Sequence, residues 1–163
     1  LLLLSGCYSL NKMISKHISY KEGVHSITAI RKGIDNEPNE EQLANMKLVA
    51  NNVFEPLRVF INGPIKVNSF FRSPDLNKAI GGSTKSQHCK GQAIDIDDTY
   101  GKATNAEMYW WIKENLDFDQ MIWEFGNNDN PDWVHVSYVS SENNRNRCLK
   151  AYKENGKTKY KII

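Results

Sequence analysis

His88 and Asp95 lie seven residues apart, with Gly91 between them. A turn at the glycine followed by a strand lets both side chains converge. They then offer one imidazole nitrogen and one carboxylate oxygen to a borderline-soft ion such as zinc. His135 is the third candidate ligand. Three protein ligands leave a fourth position for water, which is typical of a catalytic zinc site, so this set predicts an open site.

A water in such a site needs a base. Asp132 lies three residues before His135 and directly after Pro131, so its carboxylate can turn toward the same site. We expect Asp132 to take a proton from the water as the water attacks a peptide carbonyl, and to deliver it later to the leaving amine. Glu124 is the alternative base.

The segment around His135 has the alternation of a strand, which places Trp133 and His135 on the same face. We therefore expect Trp133 to form a wall of the pocket. The other tryptophans are predicted to be core residues; they are Trp110, Trp111 and Trp123.

The remaining histidines and the cysteines are not predicted to bind metal. His17 and His25 have no carboxylate at a sequence spacing that suggests a shared metal site, so we expect them to be structural or solvated. The three cysteines are widely spaced and form no C-x-x-C pair, which argues against a disulfide framework and a thiolate zinc site. Cys89 is predicted to be a packed free thiol.

The clearest helix begins at a capping-box-like sequence from Asn39 to Gln42. Apolar residues then recur on one helical face as far as Leu57. We expect Pro56 to kink or end this helix near Glu55, because proline lacks the amide hydrogen that a helix interior needs.

The other elements alternate between strands and helices. We predict a strand from Ile65, a short helix from Pro74 to Ile80, a capped helix from Thr104 to Leu116, strands over 118–125 and 133–139, and a hairpin over 148–162 that turns at Asn155-Gly156. These elements indicate an α+β domain with a mainly antiparallel sheet and flanking helices. The hairpin carries no motif and is predicted to be structural.

Composition predicts one globular domain over residues 14–163, since 40% of the 163 residues are hydrophobic and 25% are charged. A net charge of +2 is too small to argue for a nucleic-acid partner. No stretch reaches transmembrane length, and we expect a monomer.

Residues 1–13 are predicted to be a signal remnant or an upstream extension. The sequence Leu4-Ser5-Gly6-Cys7 is similar to a bacterial lipoprotein cleavage box, but the apolar run is short and lacks a basic region before it. Met13 leads directly into ordinary domain sequence. We therefore favour an extension upstream of a start at Met13.

Three motifs carry a resemblance to a known family. They are Phe71-Arg72-Ser73-Pro74, Ser86-x-His88-x-x-Gly91-x-Ala93-x-Asp95 and Asp132-x-x-His135. In combination, from about Ile14 to Tyr138, the sequence resembles the peptidoglycan metallopeptidases that include zinc D-Ala-D-Ala carboxypeptidases and phage L-alanyl-D-glutamate endolysins. The resemblance implies an α+β fold shared with lysostaphin and hedgehog-type zinc domains.

The resemblance also implies a role for each motif residue and a substrate. His88, Asp95 and His135 would bind Zn²⁺, Asp132 would be the base, Arg72 would stabilise the oxyanion, and Ser86 and Gln87 would help to bind substrate. The implied substrate is the stem peptide of peptidoglycan, and the implied reaction is hydrolysis of one of its amide bonds.

Several alternatives remain open at this point. A zinc-bearing binding module without activity is the main rival to an enzyme, although such a module would have little need for Asp132 or Arg72. A D,D-carboxypeptidase and an L-Ala-D-Glu endopeptidase need the same zinc. We expect action on the bacterial cell envelope, either by a phage lysin or by a lipoprotein anchored through Cys7.

Overall fold

A six-stranded sheet forms the centre of the protein in a computed structural model that describes residues 12–163. The strands are β3 (Lys66–Ser69), β4 (Ala93–Asp97), β5 (Gln120–Glu124), β6 (Trp133–Ser137), β7 (Arg147–Glu154) and β8 (Lys157–Ile162). Their spatial order is β3-β4-β6-β5-β7-β8, and only β5 and β7 pair in parallel. The predicted α+β fold with a mainly antiparallel sheet is confirmed.

Short elements precede this sheet. A hairpin of β1 (Met13–Ser15) and β2 (Ile18–Ser19) leads into α1 (Tyr20–Val24) and α2 (Ile27–Lys32). His17 lies here, and its Nδ1 is 2.6 Å from Glu55 Oε2. His17 thus contacts a carboxylate 38 residues further along the chain. The predictions for the leader, including Cys7, lie outside the described residues except at Lys12 and Met13.

The long helical segment begins as predicted but does not end at Pro56. Asn39 and Gln42 form the capping box of α3 (Glu40–Val49). A π-helical turn over Ala50–Phe54 follows, and α4 (Glu55–Ile61) continues with Pro56 in its first turn. Of the two alternatives predicted at Pro56, a kink or an end, the end of the helix near Glu55 is wrong, because a proline in a first turn needs no amide hydrogen and the wide π turn absorbs the local change in hydrogen bonding.

Two further helices complete the fold, α5 (Pro74–Ala79) and α6 (Asn105–Asn115). The main core lies between the sheet and helices α3, α4 and α6, and Val134 and Val136 point into it from β6. Within residues 12–163, no helix is both long and apolar enough to cross a membrane.

The opposite face of the sheet, here called the histidine face, carries Asp95 and His135 beside apolar side chains. One row across the strands is Asp95, His135, Ile122, Leu149 and Ile162, and the next is Trp133, Glu124, Ala151 and Tyr160. Residues that pair directly across strands point to the same side of a sheet. The fold thus places the predicted ligands Asp95 and His135 side by side.

Candidate metal centre

The three predicted ligands meet at one point. His88 Nε2 lies 3.2 Å from His135 Nδ1 and 3.2 Å from Asp95 Oδ1, and His135 Nδ1 lies 2.9 Å from Asp95 Oδ1. All three residues are buried. Among the described residues this is the one group of three or more His, Cys, Asp or Glu side chains arranged to hold a metal ion. Cys89 and His25 do not belong to it.

Local backbone geometry brings His88 to the two strand residues. His88 lies in a 3₁₀ helix over Gln87–Lys90, and Gly91 ends that helix at φ 69° before the chain enters β4. A Cβ atom on Gly91 would lie 2.3 Å from the backbone oxygen of Gln42. A glycine is therefore required here both for the left-handed turn and for the close approach to α3.

The protonation of the ligands suits a divalent cation. His88 Nδ1 lies 2.7 Å from the carbonyl oxygen of Phe70 and must donate to it, which leaves Nε2 free to bind a metal. Burial lowers the pKa of His88. Burial opposes ionisation of Asp95, but His88 and His135 outweigh it and hold the pKa of Asp95 far below its usual value. A neutral imidazole and an ionised carboxylate are the forms that bind metal.

The backbone of Arg72 is fixed beside the centre. Asn36 is buried, and its side chain donates to the Phe71 carbonyl at 3.1 Å and accepts from the Ser73 amide at 2.7 Å. The Arg72 amide itself donates to the His88 carbonyl at 3.3 Å. The segment that carries Arg72 is thus bonded directly to the 3₁₀ helix that carries His88.

The guanidinium of Arg72 keeps unused bonding capacity. Its Nη1 lies 3.8 Å from Asp95 Oδ2, and its bonds to Ser69 and Ser86 are long, at 3.5 and 3.4 Å. Its buried Nε has no hydrogen-bond partner within the described part of the chain. The group is placed beside the metal ligands, and its outer nitrogens could bind a further oxygen atom.

The two candidate bases differ in their environment. Asp132 is exposed at the start of β6, and its amide donates to the Glu124 carbonyl at 2.9 Å. Glu124 is buried on the histidine face, directly across from Trp133. Burial, reinforced by the charge of Asp95, raises the pKa of Glu124 to about 7. Only Glu124 is shielded from solvent, and it lies on the same sheet face as His135.

Ser86 and Gln87, two of the predicted substrate-binding residues, directly precede His88 in the chain. Ser86 accepts the bond from Arg72. Gln87 donates from Nε2 to Asp119 Oδ2 at 2.8 Å, so its amide nitrogen is already engaged. Asp119 is buried and also accepts two bonds from Arg145, at 2.8 and 2.7 Å. This network anchors the residue next to His88.

Comparison with known families agrees with this geometry. The family model for peptidase M15 matches residues 16–137, which is more than half of the chain. The chain belongs to the peptidase M15 family. This family comprises zinc metallopeptidases of the D-Ala-D-Ala carboxypeptidase and endolysin type, so the resemblance drawn from the motifs is confirmed. A search of curated proteins finds no match.

The M15 match covers every predicted site residue and ends before the hairpin of β7 and β8. The individual roles of Arg72, Ser86, Gln87, Asp132 and Trp133 stay predictions. The sequence did not reveal Asp119, because its partner Arg145 lies 26 residues away without any periodic relation. Glu124, the alternative base, does have a signal in the sequence, because it is a lone carboxylate at the end of the apolar run Met121-Ile122-Trp123.

Proposed function

We propose that this M15 protein is a zinc-dependent peptidase that hydrolyses an amide bond in the stem peptide of peptidoglycan. The observation that carries the proposal is the convergence of two imidazole nitrogens and one carboxylate oxygen on a single buried point. Three converging ligands leave a coordination position for the reaction, whereas a structural zinc site uses four.

The donor set favours zinc over other common ions. Two imidazoles and one carboxylate suit a borderline-soft ion better than magnesium or calcium, which prefer oxygen ligands. When bound, zinc polarises the scissile carbonyl and makes water a stronger nucleophile at neutral pH. His88 and His135 would supply nitrogen to it, and Asp95 would supply oxygen.

We propose Asp132 as the base, as the family resemblance implies. Its carboxylate would accept a proton from the attacking water and return it to the leaving amine. Glu124 is the second candidate, and its burial beside the centre on the histidine face favours it. A base shielded from water holds its proton-accepting oxygen in a more defined environment than an exposed one.

Arg72 would stabilise the negative charge that develops on the carbonyl oxygen of the substrate. Its long bonds to Ser69 and Ser86 would be exchanged for a shorter, charge-assisted bond as that charge grows. Ser86 would orient the guanidinium, and Gln87 would present its amide oxygen while Asp119 holds the nitrogen. Trp133 is half-buried and would form one wall of the pocket.

The cell envelope would be the place of action, because peptidoglycan lies there. An inactive zinc-bearing module is the competing proposal, and it predicts bound zinc without any product. The family match supports peptidase chemistry in general and does not separate a D,D-carboxypeptidase from an L-Ala-D-Glu endopeptidase.

Mass spectrometry of muropeptides tests the proposal. Purified peptidoglycan is incubated with the zinc-loaded protein, digested with a glycosidase and analysed for products. We expect loss of a terminal D-Ala or cleavage after L-Ala, and the mass change identifies the bond. The His135→Ala variant is the inactive reference, and His17→Ala, which changes a histidine remote from the centre, should retain activity. Unchanged muropeptides with zinc bound would refute the enzyme and support the binding module.

A further inference from the structure

The hairpin of β7 and β8 continues the histidine face beyond the metal centre. Leu149 and Ile162 extend the row that contains His135, and Ala151 and Tyr160 extend the row that contains Glu124. Three strand spacings separate His135 from Ile162, or about 14 Å at the usual spacing between strands. A substrate bound at the metal can therefore reach this surface with about four extended residues.

A lysine and two rings tilted by 56° to each other, here called the aromatic stack, follow the edge of this surface. The Lys153 ammonium lies 5.4 Å from the centre of the Phe125 ring, and that ring lies 5.6 Å from the ring of Trp133. Phe125 packs on the small apolar cluster of Ile122, Leu149 and Ala151. The stack thus connects the exposed hairpin with the predicted wall of the pocket.

Phe125 holds its place in the stack with an unusual backbone. It has φ 54°, a left-handed conformation that is unfavourable for a bulky residue. Its amide donates to the Ala151 carbonyl at 3.2 Å, which ties it to β7. Outliers of this kind cost on the order of 1–3 kcal/mol and cluster at binding and catalytic sites. The conformation places the ring between Lys153 and Trp133.

Tyr160 brings the hairpin close to the centre itself. It pairs with Ala151, which in turn pairs with Glu124, and about half of its side chain is exposed. Burial and then the charge of Glu124 raise the pKa of the Tyr160 phenol. The phenol therefore lies within electrostatic reach of Glu124, the second candidate base.

The hairpin is strongly basic. From residue 147 to the end of the chain there are six basic residues and one acidic residue, a net charge of +5 in a chain whose total is +2. The basic residues are Arg147, Lys150, Lys153, Lys157, Lys159 and Lys161, and the acid is Glu154. Lys150, Lys157, Lys159 and Lys161 point to the opposite sheet face, so Arg147 and Lys153 are the basic residues of the hairpin on the histidine face. A positive charge beside a cleft attracts an anionic ligand.

We propose that Phe125, Trp133, Lys153 and Tyr160 form a substrate subsite that binds a peptide segment with free carboxylates. The Lys153 ammonium donates one hydrogen bond to Thr158 Oγ1 at 2.7 Å and pairs with a carboxylate through its remaining hydrogens. Tyr160 donates a hydrogen bond to the peptide backbone, and the two rings pack against its aliphatic parts. The subsite rests on the proposed function, since its ligand is the stem peptide. It also gives the hairpin a binding role in addition to the structural role predicted from the sequence.

The charge of the hairpin favours an acidic peptide over the uncharged sugars of the glycan. Rings alone would suit a sugar, but a lysine over one ring, with Arg147 on the same sheet face, suits a carboxylate. An acidic segment would bind more weakly as salt is added, whereas stacking of a neutral sugar would not.

Stopped-flow tryptophan fluorescence tests the subsite on the zinc-loaded full chain, because it measures binding before turnover. The probes are a synthetic stem peptide with a free glutamate carboxylate and the same peptide with that carboxylate converted to an amide. We expect Lys153→Glu to weaken binding of the free acid about tenfold or more and to change binding of the amide by less than about twofold. Tyr160→Ala should weaken the binding of both peptides.

Lys161→Glu is the matched control. It makes the same charge change in the same hairpin, but Lys161 pairs with Lys150 on the opposite sheet face and lies over Tyr152. We expect it to change either affinity by less than about twofold at physiological salt. Equal effects of Lys153→Glu and Lys161→Glu, or equal losses for the acid and the amide, would overturn the subsite. So would equal competition by a neutral oligosaccharide of N-acetylglucosamine.

The proposal of the subsite and the proposal of the enzyme can be refuted separately. If the wild type binds the acid selectively through Lys153 yet hydrolyses nothing, the subsite is supported and the proposed function is refuted. If the wild type hydrolyses the peptide and Lys153→Glu leaves binding and KM unchanged, the enzyme is supported and the subsite is refuted.

Discussion

The two ends of the histidine face are built differently. At the metal end, Asp95 on β4, His135 on β6 and the nearby His88 are buried. Their ligand atoms lie within 3.2 Å of one another, and a backbone carbonyl fixes the His88 ring. On β8 every side chain is exposed, and on β7 the lysine that lies over a ring, Lys153, is exposed too. Buried, fully bonded groups hold one geometry, as chemistry requires, whereas exposed groups can adapt to a ligand.

The family match divides the face at the same place. It includes the metal ligands and ends at residue 137, ten residues before β7 begins. We therefore expect changes at the metal end to lower kcat and changes at the hairpin to alter KM. Variants at each end test this division.

The largest effect should follow from changing a metal ligand. His88→Ala, Asp95→Asn and His135→Ala each remove one of three ligands, and we expect activity to fall by about a thousandfold or more as zinc is lost. Metal content after dialysis and initial rates of peptide hydrolysis measure this. His17→Ala should keep both zinc and activity, and an active His88→Ala variant would show that the chemistry lies elsewhere.

A smaller but still large effect should identify the base. We expect Asp132→Asn to lower kcat by about a hundredfold to ten thousandfold while zinc stays bound, because proton transfer is lost and the ligands are intact. Glu124→Gln is the matched change at the second candidate. The pH dependence of kcat/KM for both variants provides the measurement, and a larger loss for Glu124→Gln would move the assignment to Glu124.

Arg72 should contribute to the transition state more than to binding. We expect Arg72→Lys to lower kcat by about tenfold to a thousandfold with little change in KM, because a lysine cannot reproduce the forked geometry of the guanidinium. Steady-state kinetics on one stem peptide measure both constants. A rise in KM with unchanged kcat would place Arg72 with the binding residues and would blur the division between the two ends.

The smallest predicted effect concerns the stability of the metal-free protein. The pKa of Glu124 is raised to about 7 in the folded state, so the folded protein holds this proton more tightly than the unfolded chain does. Stability should therefore fall as pH rises from the ordinary glutamate pKa toward about 7, by on the order of 2–3 kcal/mol.

Denaturant unfolding near pH 5 and near pH 8 measures this loss. Glu124→Gln cannot ionise, so the variant should lose less stability than the wild type over the same range. Equal losses in the two proteins would show that Glu124 is not held in a desolvated site.

The parts predicted from sequence were those with local signals. The capping boxes at Asn39 and Thr104 give the starts of α3 and α6, and Asn155-Gly156 gives the turn between β7 and β8. The spacing of His88, Gly91 and Asp95 gave two ligands because one left-handed turn determines how the chain enters β4.

The parts that were missed depend on contacts between distant segments. Pro56 did not end its helix, since the π turn before it changed the hydrogen bonding around it. Asp119 binds Gln87 and Arg145 only after β5 and the following loops have packed. The position of Tyr160 beside Glu124 depends on the parallel pairing of β5 with β7, and no local pattern encodes that pairing.

Zinc titration of the metal-free protein, with stem-peptide hydrolysis as the readout, tests the central claim most directly. If His88, Asp95 and His135 form one catalytic site, activity should rise in proportion to added zinc and level off at about one equivalent, and His135→Ala should stay inactive throughout. Activity that does not depend on zinc, or one tightly bound zinc without hydrolysis, would contradict the claim.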